Sequence, residues 1–217
     1  MFKILEILDR LPGAVYQRLS DLYFDLIYRV NTVTRVSLTN TDVGVKGSLI
    51  GNKYQPTGVA RANKILDYLI KYGNNGFVDF GSGKGQILLL AAKKGFKPVT
   101  GVEFSQLLHN IALRNIEIFF SKNKLSCKPV TICIDAREYQ IKDEDCIFYF
   151  FYPFKPVVME TVVENIEKST SLAPRRITVI YVYPKDKDIF NDRKNWTLIE
   201  TFKVGGWKCR IHIFNQC

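Results

Sequence analysis

The sequence predicts one α/β domain, in which a parallel sheet has helices on both faces and an antiparallel hairpin at one edge. From residue 58 to residue 182, short apolar runs alternate with helical patterns, and this alternation is typical of a parallel sheet. Two strand-like runs near the end of the chain, 196–202 and 207–214, are joined by a glycine-containing turn, which predicts the hairpin. The 217 residues and a hydrophobic content of 47% fit one domain with a short appendage.

Two amphipathic helical patterns precede this domain. The first covers residues 2–11 and ends at Leu11-Pro12-Gly13. The second places seven apolar residues near one face: Val15, Leu19, Leu22, Tyr23, Leu26, Ile27 and Val30. Such helices could pack on the domain, cover the mouth of its functional site or lie on a membrane surface, and packing is their commonest fate. Because residues 31–56 read as an irregular connector, we divide the chain into an extension, 1–50, and a main domain, 51–217.

The main domain contains five predicted parallel strands separated by helices or loops. In chain order the prediction gives helix 58–72, strand 77–80, a glycine loop, a helix that runs through Lys94, strand 99–102, helix 105–122, strands 130–134 and 146–151, helix 156–168 and strand 177–182.

The charge balance raises the chance of an acidic partner without identifying one, although a solvated basic surface is the commoner explanation. Lysine and arginine number 31 against 21 acidic residues, a net charge of +10, which suits nucleic acid, a phosphorylated molecule or an anionic membrane surface. The five cysteines include no Cys-x-x-Cys pair, and there are only two histidines, so we expect neither a disulfide framework nor a metal site. No signal peptide or transmembrane run is recognisable, and we expect a cytoplasmic location.

The most informative segment is the glycine loop after the first strand of the domain, Asp79-Phe80-Gly81-Ser82-Gly83-Lys84-Gly85-Gln86. It lacks the spacing of a P-loop and the hydroxyl residue that follows the P-loop lysine. A dinucleotide fingerprint requires a third glycine at the position that Gln86 occupies. Asp79 would also repel a pyrophosphate, whereas it would suit a ligand with a cationic amino group.

These residues resemble the first motif of class I S-adenosyl-L-methionine (SAM)-dependent methyltransferases. Two further acidic positions match that family in order, because Glu103 ends the second strand and Asp135 follows the third. The resemblance implies a Rossmann-like methyltransferase sheet with SAM as the cofactor, Glu103 on the ribose hydroxyls and Asp135 near adenine. It implies these cofactor contacts: Asp79, Gly81, Ser82, Gly83, Gly85, Glu103, Phe104, Asp135 and Ala136.

Two other segments extend the resemblance. Phe151-Tyr152-Pro153-Phe154 follows the fourth strand, where the family lines the pocket for methyl transfer, and it resembles a distant version of the Asn-Pro-Pro-Tyr motif of amino-nitrogen methyltransferases. Tyr54-Gln55-Pro56-Thr57 resembles a segment that lies over the cofactor in small bacterial methyltransferases and in a family of protein lysine methyltransferases. The resemblance therefore adds Tyr54 and Thr57 to the cofactor site and implies an enzyme, with an amine such as a protein lysine as the preferred acceptor.

Several alternatives stay open on the sequence alone. The methyl acceptor could instead be a nucleic acid or a small molecule. An NAD-dependent oxidoreductase would share the strand order and Glu103, and a SAM-binding interaction module without catalysis would share the glycine loop. A monomer is the default oligomeric state.

Overall fold

A computed structural model describes residues 13–34, 55–152, 154–184 and 188–215. The predicted helix 2–11, most of the connector, Tyr54 and Pro153 lie outside these ranges. Within them, no helix has both the length and the apolar character needed to cross a membrane.

Seven strands form one mixed sheet in the order β3-β2-β1-β4-β5-β7-β6. The first five strands are parallel: β1 (Asn75–Phe80), β2 (Lys97–Glu103), β3 (Val130–Cys133), β4 (Ile147–Phe151) and β5 (Ile177–Val182). The predicted hairpin is confirmed as β6 (Trp196–Val204) and β7 (Trp207–Phe214), with β7 antiparallel to β5. The predicted fold class is confirmed, and each predicted strand is found within a few residues of its expected bounds.

The helices cover both faces of this sheet. They are α1 (Gly13–Tyr28), α2 (Val59–Ile70), α3 (Gln86–Lys93), α4 (Gln106–Lys122) and α5 (Pro156–Leu172). Helices α1 to α4 contribute to one apolar core, which we call the first core, and α5 contributes to a second core on the opposite face. Since side chains alternate along a strand, Tyr149 of β4 enters the first core and Phe148 and Phe150 enter the second.

Helix α1 packs on the domain, but with a different face from the one that its apolar pattern indicates. Its buried residues are Gln17, Asp21 and Phe24. The apolar residues of the predicted face, except Val30, are exposed: Val15, Leu19, Leu22, Tyr23, Leu26 and Ile27. Hydrophobic periodicity alone therefore does not identify the face with which this helix packs on the domain.

Two polar side chains of α1 explain its orientation, because they complete the first turn of α2. Asp21 Oδ1 accepts hydrogen bonds from the backbone N–H of Val59 at 2.6 Å and from Gln17 Nε2 at 2.9 Å. Gln17 Oε1 accepts one from the Arg61 N–H at 3.2 Å. Gly58 at the N-cap of α2 provides no side-chain cap, so α1 supplies acceptors that helix N-termini require.

We predict that Asp21→Ala lowers the free energy of unfolding by about 1–3 kcal/mol, because it leaves the buried Val59 N–H without an acceptor. Asp21→Asn is the matched control, since its amide oxygen can still accept both bonds, and it should cost less than about 1 kcal/mol. Urea denaturation of the three proteins measures both values. Equal losses in the two variants would show that the capping contact does not stabilise the docked helix.

Candidate cofactor and acceptor site

The glycine loop connects β1 to α3 through a backbone that only glycine adopts readily. Gly81, Gly83 and Gly85 have φ angles of 80°, 54° and 81°, in the left-handed region where a side chain is strained. The N–H groups of Gly81 and Ser82 donate to the carbonyl of Val102 on β2, at 2.8 and 3.1 Å. The loop is thereby fixed at the carboxyl edge of the sheet, where ligands of doubly wound folds bind.

Glu103, at the end of β2, holds the loop from the other side. Its Oε2 accepts a hydrogen bond from the Gly83 N–H at 2.8 Å, and its Oε1 accepts one from the Ser105 N–H at 2.8 Å. Burial nevertheless raises the pKa of Glu103 to about 7, and the backbone hydrogen bonds oppose that rise. The predicted cofactor residue Glu103 is therefore in contact with the glycine loop.

Asp79 is a buried acidic residue whose carboxyl group receives no hydrogen bond from the described residues. Burial raises its pKa well above the ordinary value, and the nearby charge of Glu103 raises it further. Among the described residues, none donates a hydrogen bond to its side chain. A buried carboxylate without a partner is costly, and a cationic group placed beside it would remove that cost.

The surroundings of Asp79 offer a second polar group without a partner. Ser82 Oγ is buried and makes no hydrogen bond with the described residues. Both residues line a depression with these other residues: Gln55, Pro56, Thr57, Gly81, Gln86, Ile87, Tyr149 and Phe151. A carboxyl group and a hydroxyl, neither with a hydrogen-bond partner among the described residues, thus share one depression of about 30 Å³.

Thr57 lies in this depression, as the sequence resemblance implies, together with a residue that the sequence analysis missed. Thr57 Oγ1 and the Tyr149 hydroxyl are 2.9 Å apart and hydrogen bonded. Tyr149 is fully buried, and burial raises its pKa well above the ordinary value. Its position inside an apolar strand gave no signal that its hydroxyl reaches the site.

Gln86 and Lys84 were also missed, and both connect the loop to the chain segment after α1. Gln86 Oε1 accepts a hydrogen bond from the Gly58 N–H at 2.9 Å, and its Nε2 donates to Thr32 Oγ1 at 3.0 Å. The buried Lys84 Nζ donates to Asn31 Oδ1 at 3.1 Å. The two polar side chains of the loop therefore have a structural function, because they hold the loop against residues outside it.

The predicted adenine contacts lie after β3, in a short 3₁₀ helix, Ala136–Glu138. Asp135 caps this helix by accepting a hydrogen bond from the Arg137 N–H at 2.9 Å, and its Oδ2 forms an ion pair with Arg137 Nη2 at 2.6 Å. This pairing lowers the pKa of Asp135. Ala136 is buried in the second core, whereas Phe104 is only partly buried after β2.

The described residues of the predicted methyl-transfer segment lie on different faces of the sheet. Phe151 packs against the first core and lines the depression beside Asp79. Tyr152 has a left-handed backbone, with φ of 40°. Phe154 is buried in the second core, with its ring centroid 6.4 Å from that of Phe80. The structure therefore brings Phe151 to the candidate cofactor site and places Phe154 on the opposite face.

A larger cavity, of about 370 Å³, lies on the face of the second core. Phe154, Met159 and Tyr181 provide apolar walls, and Asp188 belongs to its lining. Asp188 is already bonded to Arg210 Nη1 at 2.6 Å and to His212 Nε2 at 3.1 Å. The smaller depression is the one that contains residues of the glycine loop and Asp79, whose carboxyl group has no donor among the described residues.

Comparisons with solved structures give the same architecture. A protein of Escherichia coli described as a methyltransferase superposes with a TM-score of 0.59 at 13% identity, over 76% of this chain and 90% of that one. The chain has the class I methyltransferase fold. At such identities the likeness extends to the fold alone.

Two other neighbours with this methyltransferase fold carry a ligand. A magnesium protoporphyrin IX methyltransferase from Synechocystis PCC 6803 with bound SAM has a TM-score of 0.54 at 17% identity, over 94% of this chain and 97% of that one. An RNA methyltransferase from Salinibacter ruber, in complex with S-adenosyl-L-homocysteine (SAH), has a TM-score of 0.51 at 17% identity, over 70% and 92%. No family model matches the sequence, and no curated protein matches it.

The buried Glu103 predicts a specific pH dependence for the ligand-free protein. Its raised pKa means that the folded protein keeps this proton at pH values where the unfolded chain, with a pKa near 4.5, has lost it. The free energy of unfolding should therefore fall between about pH 5 and about pH 7, by up to about 3 kcal/mol from this group.

Urea denaturation across this pH range measures the fall. In Glu103→Gln, the fall in the free energy of unfolding over this pH range should be smaller than in the wild type by about 1–3 kcal/mol. Glu200→Gln, which removes a surface carboxylate paired with Lys71 at 2.7 Å, should leave it unchanged. A wild-type stability that stays level or rises over this range would contradict the raised pKa.

Proposed function

We propose that this protein is a SAM-dependent methyltransferase. The observation that carries the proposal is the buried carboxylate of Asp79, which has no donor among the described residues and lies beside the glycine loop. The cationic amino group of SAM would pair with Asp79 and stabilise its ionised form. The fold neighbours crystallised with SAM or SAH support this cofactor.

Different residues of the chain would bind different parts of SAM. Asp79 would bind the amino group, the Ser82 hydroxyl would meet the polar end of the amino acid, and Glu103 would accept hydrogen bonds from ribose hydroxyls. Thr57, held by the Tyr149 hydroxyl, would complete the wall next to the amino-acid part. Tyr54, Phe104, Asp135 and Ala136 remain assigned to the cofactor by resemblance.

Methyl transfer from a sulfonium is an in-line displacement, in which SAM supplies an electrophilic methyl group. The protein must hold a nucleophile about 3 Å from that methyl carbon, aligned with the leaving sulfur. Phe151 lines the depression beside Asp79, and in this proposal it would exclude water from the reacting methyl group. Tyr152 and Pro153 remain assigned to the methyl-transfer pocket by resemblance. Phe154 is buried in the second core, so it would act only by packing behind that pocket.

The rival oxidoreductase is disfavoured by the same carboxylate. A dinucleotide would bring its pyrophosphate to the start of α3, close to Asp79, and the two negative charges would repel each other in a buried site. The non-catalytic module would bind SAM in the same way, and only methyl transfer distinguishes it from an enzyme.

The preference for an amine acceptor, such as a protein lysine, rests on the sequence resemblance alone. Phe151 of this segment contacts Trp207 rather than a carboxylate, so the geometry adds no group that would attract an ammonium. The fold neighbours include enzymes named for RNA and for a porphyrin. RNA, protein and small molecules therefore all belong in the acceptor search.

Thermal-shift measurements with SAM, SAH, NAD and NADP test the cofactor. A ligand at about 100 times its dissociation constant adds about 2.7 kcal/mol of stability, so SAM and SAH should raise the melting temperature while NAD and NADP leave it unchanged. A shift with NAD, or with none of the four, would refute the proposal. Tritium transfer from labelled SAM into RNA, protein and small-molecule fractions of a cell extract then identifies the acceptor class.

Asp79→Asn should stabilise the ligand-free protein and weaken SAH binding at the same time. At about pH 8 the variant should gain about 1–3 kcal/mol in free energy of unfolding, because it no longer buries a partnerless carboxylate. The dissociation constant of SAH should increase at least about tenfold, because a hydrogen bond between charged groups contributes about 1.5–3 kcal/mol.

Urea denaturation and isothermal titration calorimetry measure the two effects. The control is Asp67→Asn, which removes an exposed carboxylate that pairs with Lys94, and it should change neither quantity appreciably. Unchanged SAH affinity in Asp79→Asn would remove the main support for the assignment.

A further inference from the structure

Two neighbouring strands end in the same unusual way at the carboxyl edge of the sheet. The last residues of β4 and β5, Phe151 and Val182, are register partners. Tyr152 and Tyr183 follow them, and both have left-handed backbones, with φ angles of 40° and 55°. A bulky residue rarely adopts this conformation, and such strain is concentrated at functional sites.

Tyr183, the left-handed residue after β5, turns its ring to the face of the sheet opposite to the one that strand alternation predicts. Along β5, Val179 and Tyr181 enter the second core, whereas Ile180 and Val182 enter the first. Continued alternation would place the next side chain with the second core. Instead, the ring of Tyr183 lies 5.6 Å from that of Trp207, which packs against the first core.

Three rings meet on this face, and we call them the aromatic cluster: Phe151, Tyr183 and Trp207. The rings of Phe151 and Trp207 are stacked, with centroids 4.7 Å apart and planes inclined by 23°. Phe151 also lines the depression that contains Asp79. Phe151 and Trp207 are partly exposed, and Tyr183 is 37% exposed, so the cluster is an accessible apolar wall next to the proposed cofactor site.

The guanidinium of Arg61 lies against this cluster. Its central carbon is 4.2 Å from the centroid of the Trp207 ring. Its Nε is buried and has no hydrogen-bond acceptor among the described residues. Gly205, in the turn between β6 and β7, leaves room for it, since a Cβ at Gly205 would lie 2.6 Å from Nε.

Other arginines of the described residues form ion pairs with carboxylates, whereas the structure shows no such pair for Arg61. Arg137, Arg193 and Arg210 each form an ion pair with a carboxylate, at 2.6 to 2.8 Å. The acidic group that acts on Arg61 through its charge is Asp21, and the bonds of that carboxylate go to Val59 and Gln17. A buried donor without an acceptor carries a desolvation cost, which an anionic ligand would offset.

We propose that Arg61 and the aromatic cluster bind the methyl acceptor, and that this acceptor carries an anionic group, a carboxylate or a phosphate, on a planar or apolar body. The proposal rests on the proposed methyltransferase function. A guanidinium binds carboxylate and phosphate oxygens through paired N–H donors. Aromatic rings provide a face for a planar group. The docking of α1 contributes indirectly, because Gln17 accepts the Arg61 N–H and so fixes the turn that carries the guanidinium.

The two tryptophans of the chain give a direct readout of binding. Trp207 belongs to the cluster, whereas Trp196 is buried in the second core with its Nε1 donating to Glu167 at 2.7 Å. In protein labelled with fluorotryptophan, we expect phenyl phosphate or benzoate to shift the Trp207 fluorine resonance in a saturable way and to leave that of Trp196 in place. Comparing these two probes distinguishes a phosphate from a carboxylate acceptor, and benzyl alcohol is the neutral control.

Substitution of Arg61 tests the role of the guanidinium. Arg61→Gln should weaken binding of the better anionic probe at least about tenfold, while Arg114→Gln, which removes the same charge from an exposed position on α4, should leave it within about twofold. Binding of benzyl alcohol equal to that of the anions, or anion binding unaffected by Arg61→Gln, would overturn the proposal. Melting temperatures of both variants establish that they fold.

SAH titrations separate this proposal from the proposed function. If SAH binds the wild type and Arg61→Gln with equal affinity, the cofactor site stands and Arg61 is free to serve the acceptor. A loss of SAH affinity in Arg61→Gln would assign the guanidinium to the cofactor carboxylate and overturn its acceptor role. If SAH binds neither protein, the methyltransferase proposal fails, while the response of Trp207 to the anions still shows whether the site exists.

Discussion

The site is organised by two carboxylates, Asp79 and Glu103, that are buried at the ends of adjacent parallel strands. Burial raises the pKa of both groups, and the charge of Glu103 raises that of Asp79 further, while no cation among the described residues offsets either shift. The fold tolerates this arrangement because Glu103 accepts two backbone N–H groups and thereby fixes the glycine loop. No described residue donates a hydrogen bond to Asp79, and our proposal gives that place to the amino group of the cofactor.

The segment around α1 completes the site from the side opposite Glu103. Lys84 and Gln86 extend from the glycine loop to the residues after α1, and Gly58 is bonded to Gln86. Asn115 of α4 closes the network by donating to the carbonyl of Lys84 at 2.9 Å. The loop is therefore held by strand β2 on one side and by an N-terminal segment on the other, so that few of its groups can move independently.

The parallel sheet, its antiparallel hairpin and the glycine loop could be predicted from the sequence because each follows from a local pattern. The alternation of apolar runs and helices predicted the sheet, and Gly81, Gly83 and Gly85 after Asp79 predicted a tight glycine loop at its carboxyl edge. These signals are short and depend on backbone conformation and strand periodicity.

The features that could not be predicted depend on contacts between distant parts of the chain. Gln17 and Asp21 are buried because they cap α2, some 40 residues further on, and hydrophobic periodicity gives no weight to that interaction. Phe154 belongs to an aromatic segment, yet it enters the opposite core from Phe151. Arg61 resembles any other helical arginine until the turn of the β6–β7 hairpin places Trp207 beneath it.

The capping of α2 by Gln17 and Asp21 also bears on where this domain begins. The motifs that mark the fold start at Tyr54, and a boundary drawn from them, at residue 51, would separate α1 as an appendage. Without α1, the first turn of α2 would lose two acceptors for its backbone N–H groups, and the segment bonded to Lys84 and Gln86 would lose its attachment. We therefore expect that a fragment needs this helix, which carries none of the motifs, to keep the glycine loop in the conformation described here.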